Sequence, residues 1–205
     1  MNIPTPANLK KGYLAFQTHE KRDSMYRIAT FLLDHFWGKP IDMADSLGVL
    51  LLTWNHAFYR YGVFDFEKLE ACISDNLDLL GEFRERDILS YSSIDDKSIE
   101  NLFDHLLDAL KIHKGKREGW RSPVAVGKAL HLLAPGFFPL WDYKIAKAYG
   151  CSYSSNPAAK YLLFLKQAKE MVEKLQTSID AKSTGKTLLK LIDEYNYAKY
   201  TQAWI

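Results

Sequence analysis

The sequence predicts an all-α protein. Apolar residues recur at helical spacing along nearly the whole chain, and no segment alternates polar and apolar residues between hairpin turns. Ser, Thr or Asp residues precede several of these segments, and prolines stand at first helical positions, as is typical of helix starts. No repeat or linker divides the chain. We therefore predict one all-α domain over residues 1–205.

Capping and breaking residues divide the chain into successive helices. Thr5-Pro6 opens a helix to about His19, and Asp23 or Ser24 begins a second helix that ends at Gly38. The further helices are predicted at about Met43 to Tyr61, Asp65 to Leu80, Glu82 to Ser90, Asp95 to Leu110, Ser122 to Leu133, Asp142 to Tyr149, Pro157 to Ser178 and Ser183 to Lys199.

The composition excludes several classes of protein. Hydrophobic residues make up 47% of the 205 residues, too many for an intrinsically disordered chain, and no apolar run reaches the roughly 18 residues that cross a bilayer. The first residues lack the basic-then-apolar order of a secretory signal, and the two cysteines, Cys72 and Cys151, do not make a disulfide framework. We expect a cytoplasmic protein without membrane contact.

Charge is unevenly distributed along the chain. The net charge is +2, but residues 65–108 carry 4 basic and 13 acidic groups, whereas residues 109–205 carry 16 and 7. Such asymmetry can give a nearly neutral protein one electropositive face that holds a polyanion. Two ordinary solvated faces would have the same composition.

The densest positive charge lies in the glycine-containing connection from Lys111 to Arg121. We predict that its basic side chains hold nucleic-acid phosphates and that its tryptophan stacks on or wedges between bases. The residues concerned are Lys114, Lys116, Arg117, Trp120 and Arg121. An ordinary solvated loop is the alternative.

Other motifs do not carry a function. Ser183-Thr184-Gly185-Lys186-Thr187 imitates the end of a phosphate-binding loop, but Asp180 occupies the position of its first glycine and a predicted helix precedes it. No histidine has a histidine partner at i+3 or i+4, so no metal site is predicted, and no cofactor is predicted either.

The segment from Ser122 to Gly150 carries a resemblance. It contains a proline, a tight turn, a lysine early in an apolar helix, a proline-rich return, an aspartate and a further helix. This order resembles the core of the helix-hairpin-helix DNA glycosylases, with Pro123 to Val126 as the hairpin. Upstream, Leu51-Leu52-Thr53-Trp54-Asn55 is similar to the segment of the family that inserts an amide residue into DNA. The similarity covers about residues 43–150, with the helices at 157–199 outside it.

The resemblance implies roles for individual residues. Lys128 corresponds to the family's catalytic lysine, Asp142 to its essential aspartate, and Asn55 to the inserted amide. A lysine with a lowered pKa can attack the sugar C1′ and form a Schiff base, and a carboxylate can stabilise the cationic sugar of base excision. The eight residues 134–141 span at most about 26 Å, enough to bring Asp142 back beside Lys128.

Aromatic residues around this pair predict a base pocket. His131 shares an i,i+3 stripe with Lys128, and Phe137, Phe138 and Trp141 offer flat surfaces beside Asp142. A purely structural interpretation remains open, in which Asp142 caps a helix, Lys128 extends to solvent and the aromatic side chains fill the core.

The sequence therefore predicts a DNA-binding base-excision enzyme that resembles a helix-hairpin-helix glycosylase, with or without lysine lyase activity. A non-catalytic nucleic-acid-binding protein would have the same basic surface. A helical protein-interaction domain would use the acidic face of residues 65–108. Neutralising the basic connection would weaken nucleic-acid binding but would leave the binding of a protein-interaction domain unchanged.

Overall fold

Side-chain caps start some of the helices where the sequence predicts them. In the computed structural model, which describes residues 3–181 and 184–205, Thr5 caps the first helix through the Asn8 amide at 3.2 Å. The Ser122 hydroxyl likewise accepts from the Ala125 amide at 3.2 Å. These residues form 67% helix and 2% strand in one domain, so the predicted all-α class is confirmed.

The helices follow one another through short connections. They are α1 Pro6–His19, α2 Ser24–His35, α3 Pro40–Trp54, α4 His56–Tyr59, α5 Phe66–Asp75, α6 Leu77–Arg84, α7 Asp96–Ala109, α8 Pro123–Leu133, α9 Tyr143–Ala148, α10 Pro157–Leu175 and α11 Leu188–Asn196. A π-helical turn, Tyr197–Thr201, continues α11. None of the helices in the described ranges is both long and apolar enough to cross a bilayer.

Several predicted boundaries differ from the structure. The helix predicted at 43–61 ends at Trp54, because Asn55 leaves the helical conformation and α4 starts anew. The helix predicted at 65–80 is interrupted at Asn76, and the segment predicted at 82–90 is the end of α6 followed by the 3₁₀ turn Ile88–Ser90. The predicted start at Ser183 lies outside the described residues, and Thr187 caps α11 through the Lys190 amide.

Two short strands were not predicted. β1 (Gly62–Val63) pairs antiparallel with β2 (Lys114–Gly115), with Gly62 opposite Gly115. Two residues are too few to produce an alternating pattern in the sequence. The pairing anchors the basic connection to the end of the α3–α4 segment.

The predicted hairpin at Pro123 to Val126 is wrong. These residues form the first turn of α8, because Ser122 caps the helix and proline at the first position needs no amide partner. The helix lies at the centre of the fold and packs against α2, α3 and α7. Gly127 allows the Trp141 ring to pack closely, since a Cβ there would lie 2.5 Å from Cδ1 of Trp141.

Candidate active site

A cavity of about 300 Å³ lies beside α8, between the ends of α1 and α3, the start of α2 and helices α9 and α11. Its walls combine aromatic rings with charged side chains. The aromatic residues are Phe16, Trp54, Trp141 and Tyr197, and the charged residues are Glu20, Asp23, Lys128, Asp142, Lys190 and Asp193. Apolar walls with a few convergent polar groups are typical of ligand sites.

Lys128 enters this cavity from α8. Its ammonium donates to the backbone carbonyl of Trp54 and to Oδ1 of Asn55, both at 3.0 Å, and lies 4.6 Å from the Trp54 ring centroid. Burial lowers the pKa of Lys128 to about 8, although the carboxylates of Asp193 and Asp142 oppose the shift. About a tenth of such a lysine is neutral at pH 7, far more than of an exposed lysine.

Asp142 lies on the same cavity at the start of α9. Its Oδ1 accepts from the Ile145 amide at 2.8 Å, as predicted for a helix cap, and its Oδ2 accepts from the Thr201 hydroxyl. Both oxygens are therefore held in place by neutral donors. The structure thus brings Lys128 and Asp142 to one cavity.

A cluster of buried charged residues, which was not predicted from the sequence, lies at one wall of the cavity. Lys190 is 2% exposed and contacts Asp193 at 3.3 Å, Asp23 at 3.4 Å and Glu194 at 3.6 Å. Burial acts to lower the pKa of Lys190, but these carboxylates raise it above its usual value. Burial also raises the pKa of Asp193 and of Glu194, against the opposing effect of Lys190. The sequence signal for this cluster is the spacing of Lys190, Asp193 and Glu194 at positions i, i+3 and i+4 of one helix.

Three of the four predicted base-pocket residues do not line the cavity. His131, Phe137 and Phe138 are fully buried, and both phenylalanine rings pack against Phe83 with centroids 4.6 and 5.0 Å away. This correction follows from close packing, because a side chain with no accessible surface offers no face for stacking. Trp141 lines the cavity, although it is only 1% exposed and its indole donates to the Pro123 carbonyl at 3.2 Å.

Asn55 is a bonded amide rather than a projecting side chain. It is half-buried; its Nδ2 donates to the Ser122 hydroxyl at 3.1 Å while its Oδ1 accepts from Lys128. Insertion into DNA would break both bonds. In this structure Asn55 joins α3 to the start of α8 and orients the lysine.

The basic connection presents exposed cations and aromatic rings. Lys114, Lys116 and Trp120 are exposed, and the Arg117 guanidinium lies over the ring of Trp120 at 5.1 Å. It also lies 5.8 Å from the ring of Tyr61, which follows α4. Arg117 therefore lies beside two aromatic rings.

Arg121, like Lys111 at the start of this connection, has an acidic partner. Its guanidinium pairs with Asp108 at 2.9 Å. Arg121 also borders a shallow groove of about 340 Å³, which passes Ser122 and Asn55 and includes Trp54. Since Trp54 also lines the cavity, the groove leads from the basic connection towards Lys128.

The described residues contain no group of three or more His, Cys, Asp or Glu side chains arranged for a metal ion. Burial raises the pKa of the Cys72 thiol to about 12, and Cys151 is fully buried. Neither thiol is poised as a nucleophile. Within the described ranges, Lys128 is therefore the candidate nucleophile that the geometry favours.

Comparisons with protein-family models, with curated proteins and with solved structures find no match to this chain. The interpretation of the site depends on its geometry and chemistry.

Proposed function

We propose that the protein is a DNA base-excision enzyme whose active site is the cavity between Lys128 and Asp142. The observation that supports this proposal is that the lysine with the lowered pKa and the fixed carboxylate line one small cavity with aromatic walls. The two residues lie 14 positions apart in the sequence, and the fold brings both to the cavity. A pocket of about 300 Å³ is at the small end of ligand sites and suits one nucleobase with part of its sugar.

Each residue has a distinct role in this proposal. A base extruded from the duplex enters the cavity and stacks on the indole of Trp54. The Asp142 carboxylate, held by the Ile145 amide and the Thr201 hydroxyl, stabilises the positive charge that develops on the sugar as the glycosidic bond breaks. The departing base takes the electrons of the glycosidic bond and a proton, and the neutral amine of Lys128 attacks C1′. The amine nitrogen then loses a proton, the C1′–O4′ bond breaks, O4′ takes up a proton and the Schiff base forms.

DNA reaches the cavity along the groove past Asn55. The exposed cations Lys114 and Lys116 and the half-buried Arg117 hold backbone phosphates, and the start of α8 lies along the same groove, where amides and the helix dipole favour anions. Arg121 would exchange Asp108 for a phosphate. These contacts supply affinity without reading base sequence.

Asp142→Asn tests the proposal. Asparagine retains a capping oxygen and an amide that can donate to the Thr201 hydroxyl, but it removes the negative charge. We expect the release of damaged bases from duplex DNA, measured with a panel of lesion-containing oligonucleotides, to fall by roughly 10² or more, with little change in stability.

Asp142→Ala is the matched control for capping. It should lose about 1 kcal/mol of stability in addition to activity, since the cap is gone. Undiminished excision by a folded Asp142→Asn protein would contradict the proposal. A wild-type protein that binds duplex DNA but releases no base from any oligonucleotide would instead be a non-catalytic binding protein.

A further inference from the structure

The two carboxylates that act on Lys128 differ in how their oxygens are used. Both oxygens of Asp142 accept hydrogen bonds. Asp193, on α11, accepts from Lys190 through Oδ2 at 3.3 Å, and among the described residues its Oδ1 has no hydrogen-bond partner. The Asp193 side chain is 13% exposed and lines the cavity. Asp142 is a fixed anion, whereas Asp193 has an oxygen available to accept a proton.

Asp193 is also held in a defined position. Lys190 is locked between the carboxylates of Asp23 and Glu194, and its ammonium lies 4.7 Å from the ring centroid of Phe16 and 4.6 Å from that of Tyr26. A cation that cannot move keeps its third partner, Asp193, at the cavity wall. The electrostatic effect of Asp193 on Lys128 is larger than that of Asp142.

We propose that Asp193 is the residue that, across the cavity and through one water, takes a proton from Lys128 and returns one to the carbonyl oxygen when this lysine forms a Schiff base. The proposal rests on the proposed function for its DNA substrate, but it applies to any aldehyde that enters the cavity. General acid–base assistance of this kind contributes typically 10²–10⁴-fold to a reaction.

The proton balance is complete without a further reactant. Asp193 accepts a proton from the Lys128 ammonium, and the neutral amine attacks the aldehyde carbon, so that a C–N bond forms and the C=O π bond breaks. The protonated Asp193 gives its proton to the carbonyl oxygen, and the added amine nitrogen gives up one of its protons. Addition of one proton to the hydroxyl then releases water, and the nitrogen lone pair forms the iminium. Lysine ammonium and aldehyde thus become iminium and water, with no change in oxidation state.

The other titratable groups at the cavity are less suited to this role. Asp23 is engaged by Lys190 at 3.4 Å and by Lys186 at 3.9 Å, and Glu20 is exposed at the end of α1. The Tyr197 hydroxyl accepts a hydrogen bond from Gln202 at 2.7 Å. Both oxygens of Asp142 are occupied, and Lys190 is a permanent cation. Asp193 therefore remains as the proton acceptor.

Reductive labelling of Lys128 with formaldehyde and cyanoborohydride tests the proposal without DNA. The rate of labelling is followed by peptide mass spectrometry over a range of pH. Below the pKa of Lys128, about 8, the ammonium supplies the proton that Asp193 takes and returns, so the wild type should label faster there than its small neutral fraction allows. In Asp193→Asn we expect the rate at pH 7 to fall at least tenfold and to rise with pH as the amine becomes neutral. A purely structural role of Asp193 would leave the shape of this pH profile unchanged.

Glu194→Gln is the matched control. Glu194 contacts the same Lys190 at 3.6 Å from the adjacent position of α11, but it does not line the cavity. Glu194 helps to hold Lys190, so its loss should lower the rate less than Asp193→Asn does, and the pH profile should keep its wild-type shape. A wild-type rate and profile in Asp193→Asn, or equal changes in both variants, would overturn the proposal.

A reciprocal measurement remains decisive if Asp193→Asn does not fold. The pKa of Asp193, followed by carboxyl ¹³C NMR, should rise in Lys128→Gln because a neighbouring cation is lost. An unchanged pKa would overturn the proposal. Abasic duplex DNA separates the role of Asp193 from the proposed DNA function. Suppose that Asp193→Asn alters formaldehyde labelling but that neither the wild type nor a variant forms an adduct with abasic DNA. Asp193 then keeps its role and the proposed DNA function fails.

Discussion

Lys128 and His131 lie three residues apart on α8, yet they occupy different environments. Lys128 is partly exposed to a cavity, and burial lowers its pKa to about 8. His131 is fully buried, and burial lowers its pKa to about 3. Its Nδ1 donates to the Phe138 carbonyl at 2.7 Å, which leaves Nε2 to accept from the Tyr26 hydroxyl at 3.2 Å.

Access to the cavity decides which buried polar groups are available for chemistry. Both side chains resist charging, but only Lys128 borders space that a substrate can enter. His131 has a fixed partner on each nitrogen and aromatic core around it, so its role is structural. A shared stripe in the sequence therefore does not mean a shared site.

The largest effect outside the cavity is expected at the approach to Lys128. Replacing Lys114, Lys116 and Arg117 with glutamine should weaken DNA binding about a hundredfold at physiological salt and reduce the salt slope by roughly 0.9 per lost phosphate contact. Titrations at several salt concentrations measure both. Arg121→Gln should have a smaller effect because Arg121 already pairs with Asp108. An unchanged slope in the triple variant would remove this surface from the DNA path.

The next largest effect is a loss of stability, which should differ between His131 on the core side of α8 and Lys128 on the cavity side. His131→Gln should lower the free energy of unfolding by about 2 kcal/mol, since it disturbs two buried hydrogen bonds and the packing around them. Chemical denaturation measures this loss. Lys128→Gln should change stability much less. Equal losses in the two variants would contradict the distinction between a core side and a cavity side.

His131→Gln and Lys128→Gln should also differ in how their free energy of unfolding depends on pH in acid. The unfolded chain protonates His131 near pH 6.5, whereas the folded protein does not do so until about pH 3. The contribution of His131 to stability is therefore present above pH 6.5 and is lost as pH falls towards 3, at about 1.4 kcal/mol per pH unit. His131→Gln should remove that slope from the pH dependence of unfolding, and Lys128→Gln should retain it.

The smallest effect is expected at Asn55. Asn55→Ala removes the bond to Ser122 and one acceptor of the Lys128 ammonium, so it should cost about 1 kcal/mol of stability and lower the pKa of Lys128 further below 8. Formaldehyde labelling against pH detects the shift. If Asn55→Ala leaves the pKa of Lys128 at about 8 but loses excision on duplex and not on single-stranded DNA, the result would instead support insertion of Asn55 into DNA.

Local signals made part of this structure predictable. Thr5, Ser122 and Asp142 cap their helices where the sequence places them, because a cap depends on residues within one turn. The segment between Lys128 and Asp142 is long enough to permit the return of Asp142 towards the lysine. The ends at Asn55 and Asn76 were missed because these asparagines are tied to more distant residues, Ser122 and His105, as well as to their own helix.

The remaining features depend on contacts that the sequence does not show. Phe137 and Phe138 have the composition of a stacking surface, but their packing against Phe83 puts them in the core. Asp193 joins the site from α11, far along the chain from Lys128 and Asp142. Neither fact follows from spacing, because both are set by the way distant helices pack.

Borohydride trapping on abasic duplex DNA tests directly whether the cavity side of α8 is reactive and the core side is not. Wild-type protein should form a covalent adduct. Lys128→Gln should form none while remaining folded, and His131→Gln should form it in proportion to its folded fraction. No adduct with the wild type, or an equal amount with Lys128→Gln, would contradict the account.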